Sequence, residues 1–238
     1  STSWYQSTIY EILIMSMFPV ICVENFFPDP QKIIDYGESL QYFPAEQHQY
    51  PGVRSDTLFN IDQDLDRYVG NRILRNYYHS NNWSNYNHVN WNAEIRFHKI
   101  RPLHEDQYHL KNRGWVHQDA SILLAGLIYL NRVPEPDTGT NLFTMRKGYA
   151  WTEDEHTQIE HRHYAGESIL DENYERAYNA VNGQYDLSVD FKNVFNRMIA
   201  YDSQVPHCAQ TYGTQERLTL TFFFKDLVGS QPPLARFG

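Results

Sequence analysis

Hydrophobic periodicity changes part-way along this chain, and the change limits the folds open to it. Two segments with helical period come early. In PDPQKIIDYGESLQYF, Asp29 suits a cap, Pro30 suits a first turn, and Ile33, Ile34, Gly37 and Leu40 or Gln41 trace one face. In DQDLDRYVGNRILRNYY the same stripe runs through Leu65, Val69, Ile73 and Tyr77. Strand-like runs then take over: AEIRFHKI from Ala93, ILLAGLIYLN from Ile122, TNLFTM from Thr140, RMIAYD from Arg197 and RLTLTFFF from Arg217. Early helices followed mostly by strands imply a mainly β sandwich or barrel with supporting helices. No internal repeat and no Gly/Ser linker divides the chain, so a single domain over 1–238 is expected, with strand and helix support over about 18–90 and the strand core over about 91–228.

Composition narrows the function classes. The chain is 41% hydrophobic and 15% aromatic, enough for a packed core and against disorder. A net charge of −9 argues against nucleic acid as the main ligand, because such binders present basic faces. Two cysteines, Cys22 and Cys208, are too few for a disulfide scaffold. IYEILIMSMFPVICV, Ile9 to Val23, is apolar but holds Glu11 and Pro19 and lacks a basic leader, so it reads as a buried strand and not as a signal peptide or membrane span. The Asn-Trp-Ser at Asn82 matches a glycosylation acceptor, a match expected by chance without export. A soluble cytoplasmic protein with no membrane partner is the expectation.

The stretch WVHQDASILLAGLIYLN sets a His-x-Asp pair directly before an apolar run. Side chains at i and i+2 of an extended strand share a face, so His117 and Asp119 present an imidazole beside a carboxylate. Such a pair can bind a metal, share a proton or simply hydrogen-bond. A second pair, His104 and Asp106, has no strand beside it and serves as a decoy. A metal needs a third ligand, and His207, far downstream after a strand and a Pro turn, is the candidate. Two His and one carboxylate on one side of an ion leave positions open for a co-substrate and oxygen, an arrangement suited to non-haem Fe(II). Arg217, ten residues beyond His207, opens a strand whose same face carries Thr219 and Thr221. An arginine pointing into a barrel requires a buried anion, and guanidinium grips a carboxylate with two parallel bonds.

The set His117-Gln118-Asp119, His207 and Arg217 resembles the Fe(II)/2-oxoglutarate-dependent dioxygenases, and further matches resemble their prolyl-4-hydroxylase-like branch. LIYLN ending at Asn131 is similar to that branch's second core strand, with Tyr129 where a co-substrate contact often falls. DTGTNLF is similar to its Gly-Gly-Thr-x-Leu-Phe turn, with Asp137–Thr138 where one Gly would stand. The resemblance spans roughly Val20 to Phe224 and is motif-level between about Pro44 and Asn92. It implies a double-stranded β-helix (jelly roll) with N-terminal helices packed on the major sheet. It also implies Fe(II) held by His117, Asp119 and His207, and 2-oxoglutarate held by Arg217 with Tyr129, Thr219 and Thr221. Ascorbate would serve as reductant, and the products would be succinate, CO2 and a hydroxylated peptide, amino acid or other small molecule. A Tyr-Pro-Gly segment common in the family is replaced here by KIRPLHEDQYHLKNRGW, which moves or loses one co-substrate contact, with Tyr108 a candidate replacement. A zinc hydrolase or a non-catalytic jelly-roll binding module would be served by the same three ligands, but neither has a reason to keep Arg217 buried.

Four further stretches carry expectations. YPGVRSD pairs a tight turn with Arg54 and lines either the substrate mouth or nothing but the turn. EHRH, with His161 and His163, reads as a solvated polar face. NYYHSNNWSNYNHVNWN, from Asn76 to Asn92, reads as a turn-rich segment or a stacking surface. The acidic insertion Tyr149–Gly183 leaves after one strand and returns before the strand leading to His207, so it reads either as a lid at the mouth of the metal site or as a solvated surface excursion. DENYERAYNAV within it reads as a helix, and its acidic residues would favour neutral or cationic substrates.

Overall fold

The computed structural model describes residues 18–46, 49–78, 89–146 and 155–229. The sheet periods expected from sequence become two antiparallel sheets. β1 (Ile21–Val23), β2 (Tyr42–Pro44), β3 (Val53–Ser55), β4 (Val89–Ile100) and β5 (Leu124–Tyr129) enter the major sheet with β8 (Met198–Asp202) and β10 (Arg217–Gly229). Their order is β1-β8-β5-β10-β4-β3-β2. β6 (Thr140–Met145), β7 (Tyr185–Phe191) and β9 (His207–Ala209) form the minor sheet in the order β7-β6-β9. The Ile9–Val23 run is described only from Phe18 and contributes β1 alone, and the Asn76–Asn92 stretch lies outside the described residues from His79 to His88.

Alternation along β10 divides the two faces of the major sheet. Leu218, Leu220, Phe222 and Phe224 are buried against the helices, where each fully buried side chain contributes roughly 1.5–3 kcal/mol. α1 (Pro30–Ser39) and α3 (Gln63–Leu74), with the short α2 (Leu58–Ile61) before it, supply the other side of that core. Ile33, Ile34 and Leu65 pack against it, and Val69 and Ile73 lie within it. The helices approach closely because of two glycines. A Cβ on Gly37 would meet the Phe97 ring at 2.6 Å, and one on Gly70 would meet the Trp91 ring at 2.4 Å.

Two helix expectations are corrected at their ends. Asp29 makes no side-chain cap and pairs instead with Lys32 at 3.1 Å. The second helix is capped by Asp62, which accepts from the Leu65 N–H at 2.9 Å, and stops at Leu74. Tyr77 is fully buried beyond it and donates to the Pro19 carbonyl at 3.1 Å.

The acidic insertion contributes α4 (Glu155–Tyr164), which the sequence did not suggest, and α5 (Asp171–Asn182), which it did. Tyr174, Ala177 and Tyr178 of α5 close on Trp115, whose indole N–H donates to the Tyr174 hydroxyl at 2.9 Å. The insertion is therefore fastened two residues upstream of His117.

Candidate active site

β5, β8 and β10 run side by side, and the chain turns after β8 toward His207 and comes to β5 through His117 and Asp119. The expectation of a regular strand at the His-x-Asp pair is corrected. His117 and His207 form one isolated antiparallel bridge, with backbone N···O distances of 3.0 and 2.9 Å, and β5 begins only at Leu124 after Ser121 takes a φ of 62°. One bridge suffices, since it places the two imidazole rings 4.4 Å apart at their centroids.

His117, Asp119 and His207 bring one ligand atom each to within 4.8 Å of one another. The Nδ1 atoms of His117 and His207 lie 2.9 Å from the carbonyls of Trp115 and Val205. A carbonyl only accepts, so each Nδ1 must donate, which fixes the tautomer with a bare lone pair on Nε2. Asp119 Oδ2 is buried, has no hydrogen-bond partner, and lies 3.4 Å from His207 Nε2. Burial lowers the His207 imidazole to about 4, with His117 adding to the effect, so the ring is neutral at pH 7. Two oriented lone pairs facing an orphaned carboxylate oxygen fit a divalent cation. The decoy pair does not assemble: the His104 ring stacks on His109 at 3.7 Å.

Arg217 is 5% exposed, and its Nε is buried without a hydrogen-bond partner. Its guanidinium carbon lies 5.4 Å from the Tyr129 ring centroid. Thr219 and Thr221 share its face and line the same cavity. Thr221 donates to the Arg96 carbonyl at 3.2 Å. Tyr129 is fully buried beneath, its hydroxyl 2.8 Å from that of Thr140, so it packs under Arg217 and Thr140 meets the cavity in its place. Tyr108 is 52% exposed and donates to Asp137 at 3.1 Å, so it does not replace the missing tyrosine. Asp137 adopts a φ of 55°, a left-handed conformation that Asp tolerates, which accounts for its standing at a glycine-like position.

These groups open into one cavity of about 720 Å³, inside the range of roughly 300–1,000 Å³ usual for small-molecule sites. Several of its walls were not legible in sequence. Tyr201 stands with its ring 4.6 Å from that of His207. His98 is buried, with Nε2 2.7 Å from the Pro51 carbonyl, and desolvation holds it neutral. Tyr50 and Arg54 enter from the β3 side, so the turn in YPGVRSD does line the mouth. Glu160, His161 and Tyr164 of α4 face the cavity from the insertion, and burial raises the Glu160 carboxyl. The solvated reading of EHRH is corrected at His163, which is buried with Nε2 2.7 Å from the Lys111 carbonyl. Tyr201 and His98 join the site through strand pairing that leaves no local sequence spacing to read.

The family described as "Family of unknown function (DUF6445)" matches residues 8–224. No curated protein sequence matches the chain significantly. Many solved structures match its fold, and two illustrate it. One is HygX from Streptomyces hygroscopicus with nickel and 2-oxoglutarate bound, at 13% identity and a TM-score of 0.50 over 94% of this chain and 87% of that one. The other is a Trichoplax adhaerens prolyl hydroxylase in complex with a hypoxia inducible factor peptide fragment, at 10% identity and a TM-score of 0.50 over 94% of this chain and 93% of that one. The fold is thus the jelly roll of the Fe(II)/2-oxoglutarate oxygenases, mainly β with supporting helices, as the sequence resemblance implied.

Proposed function

The chain belongs to the family of unknown function DUF6445, and from its site we propose that it is an Fe(II)- and 2-oxoglutarate-dependent dioxygenase of prolyl-4-hydroxylase-like kind. The observation that carries this reading is the pairing, in one cavity, of a His/Asp/His cluster with an arginine that is buried and, among the described residues, has no protein anion to meet. A buried charge is expensive unless compensated, so Arg217 implies a resident anion. A zinc hydrolase or a binding module supplies no such anion.

His117, Asp119 and His207 would hold Fe(II), with Nε2 of each imidazole and the orphaned Asp119 oxygen as donors. When bound, the iron with 2-oxoglutarate and O2 supplies an oxidant able to hydroxylate a C–H bond, releasing succinate and CO2. The chain itself positions and shields. The Trp115 and Val205 carbonyls hold the two imidazoles in register. Arg217 receives the far carboxylate of 2-oxoglutarate, Thr219 and Thr221 offer hydroxyls on the same face, and Tyr129 supports the guanidinium from below. Tyr201 and the insertion helices, through Glu160, Tyr164 and Val181, wall the cavity.

The substrate class we propose is a peptide or small molecule, with ascorbate as reductant. The Trichoplax enzyme's peptide partner supports that class, and a net charge of −9 speaks against nucleic acid. No described helix is long and apolar enough to cross a membrane. A cytoplasmic location and a single domain remain parts of the proposal, resting on two free cysteines and an undivided sequence pattern.

The test is succinate formation by the full chain loaded with Fe(II), with a panel of peptides and amino acids scored for a mass gain of one oxygen. Succinate should appear with Fe(II), cease with a chelator, and fail to appear with Zn²⁺. Its absence under all conditions would remove the oxygenase reading.

A further inference from the structure

The cavity holds a second arginine that the proposed reaction leaves idle. Arg54 lies on β3, where the register sets it opposite His98 on β4, which in turn faces Thr219 on β10. Directly paired antiparallel residues share a face, so Arg54 opens to the same side as Arg217. Its Nε is buried without a partner, and among the described residues Arg54 makes no hydrogen bond or salt bridge. The nearby carboxylates are engaged elsewhere. Glu94 is bound by Arg96 and Lys225, and Asp56 lies 3.8 Å from Arg96.

The guanidinium is nevertheless held in place. Its carbon lies 3.5 Å from the Tyr50 ring centroid and 5.4 Å from that of Phe223. Stacking uses the flat faces of the group and leaves its in-plane N–H donors free along the edge. Burial lowers Arg54 to about 10, so it is a full cation at neutral pH, and among the described residues no carboxylate pairs with it directly, although Asp119 and Glu94 in the cavity wall act on it.

Arg217 and Arg54 rest on different rings. The Arg217 guanidinium rests on Tyr129, which pairs with Thr219, whereas Arg54 reaches Phe223 four residues farther along β10. Arg54 lines the same cavity as His117, Asp119 and His207, and the Asp119 charge acts on it.

We propose that Arg54 receives a carboxylate of the primary substrate, so that the enzyme acts on a carboxylate-bearing small molecule, either a free amino acid or the C-terminal residue of a short peptide. This rests on the oxygenase reading, since it is 2-oxoglutarate that occupies Arg217. One guanidinium, with no second unpaired arginine or lysine in contact with it among the described residues, matches a planar monoanion better than a phosphate. The expectation that the insertion selects cationic substrates is not supported by its side chains. Of its described carboxylates only Glu160 lines the cavity, while Glu167 pairs with Arg162 and Asp171 with Lys111 on the outside.

The experiment uses the full chain loaded with Ni(II) and saturated with 2-oxoglutarate, which fills Arg217 without turnover. Binding is measured by calorimetry for the common L-amino acids against their carboxamides, and for short peptides against their C-terminal amides. At least one carboxylate member should bind tenfold or more tighter than its amide, and the pair that shows this separates the two sources. Arg54→Gln should abolish the preference while 2-oxoglutarate affinity changes less than twofold, and Arg54→Lys should keep part of it. Equal binding of every pair, no binding by any carboxylate, or a preference that survives in Arg54→Gln would overturn the inference. So would loss of 2-oxoglutarate binding in Arg54→Gln, which would make Arg54 the co-substrate anchor. If the native protein binds no 2-oxoglutarate at all, the oxygenase reading falls first and this one with it.

Discussion

At the scale of single residues the site is a problem of orphaned atoms. Asp119 Oδ2, Arg217 Nε and Arg54 Nε are all buried and unbonded, and all three border the same cavity. Removing a ligand should therefore be felt first in metal affinity. His207→Ala is expected to lose iron binding by equilibrium dialysis and to lose succinate formation, whereas His104→Ala, from the decoy pair, should leave both unchanged. Full turnover by His207→Ala would break the assignment. The clustering of His117 with Asp119 and the inward face of Arg217 were legible from a two-residue spacing and one strand's alternation, and His207 from its place ten residues before Arg217. Arg54 and Glu160 were at best suggestive, because nothing near them in sequence tells which wall they will line. Tyr129 was legible as a neighbour of Arg217 but not as a residue buried beneath it, since the Thr140 bond that turns its hydroxyl aside belongs to another sheet.

At the scale of elements, the core strands were readable and the edges were not. β4, β5, β6, β8 and β10 each carry a run long enough to show its period. β2, β3 and β9 have three residues each and are defined by their partners. β7 was missed because most of its side chains meet solvent, Leu187 among them. α3 carries a pH signature. Asp66 sits in its first turn, where the helix dipole would favour a charge by about 0.3–1 kcal/mol, yet burial wins and raises the carboxyl to about 6. A carboxyl raised above its unfolded value near ~3.9 stabilises the fold only while protonated. That contribution is complete below about pH 4 and is lost as pH rises through about 6. Asp66→Asn should flatten this dependence and raise stability at pH 7 by about 1 kcal/mol, the low end of the cost of an unsatisfied buried group. Denaturant midpoints from pH 4 to 7 check it, and a variant that keeps the native slope would contradict it.

α5 makes a second claim at this scale, that it clamps the insertion over Trp115. Tyr174→Ala removes a buried ring and its bond from the Trp115 indole, a change worth roughly 3–5 kcal/mol for a large aromatic. Hydrogen exchange should then quicken across 155–182 while β4 and β10 keep their protection. Uniform loss of protection in both regions would mean that the insertion is part of the core and not a cover.

At the scale of the whole molecule, two antiparallel sheets face each other, with helices behind the larger one and the insertion beside the site. The helices bury one face of β10 and leave the other, with Arg217, Thr219, Thr221 and Phe223, to the cavity. The proposed metal ligands from the segments flanking β5 and β8 and the proposed anion clamp from β10 thus meet only when both sheets are assembled. That dependence makes co-substrate binding a reading of the entire arrangement. The decisive measurement is equilibrium binding of 2-oxoglutarate to the Fe(II)-loaded chain without oxygen, compared among the native protein, Arg217→Ala and His207→Ala. Breaking a buried ion pair costs roughly 3–5 kcal/mol, which at about 1.4 kcal/mol per decade is at least a hundredfold. One 2-oxoglutarate should bind per native chain, with affinity at least a hundredfold weaker in Arg217→Ala and binding lost in His207→Ala along with the metal. A native chain that does not bind 2-oxoglutarate, or an Arg217→Ala chain that binds it as tightly as the native, would contradict the account.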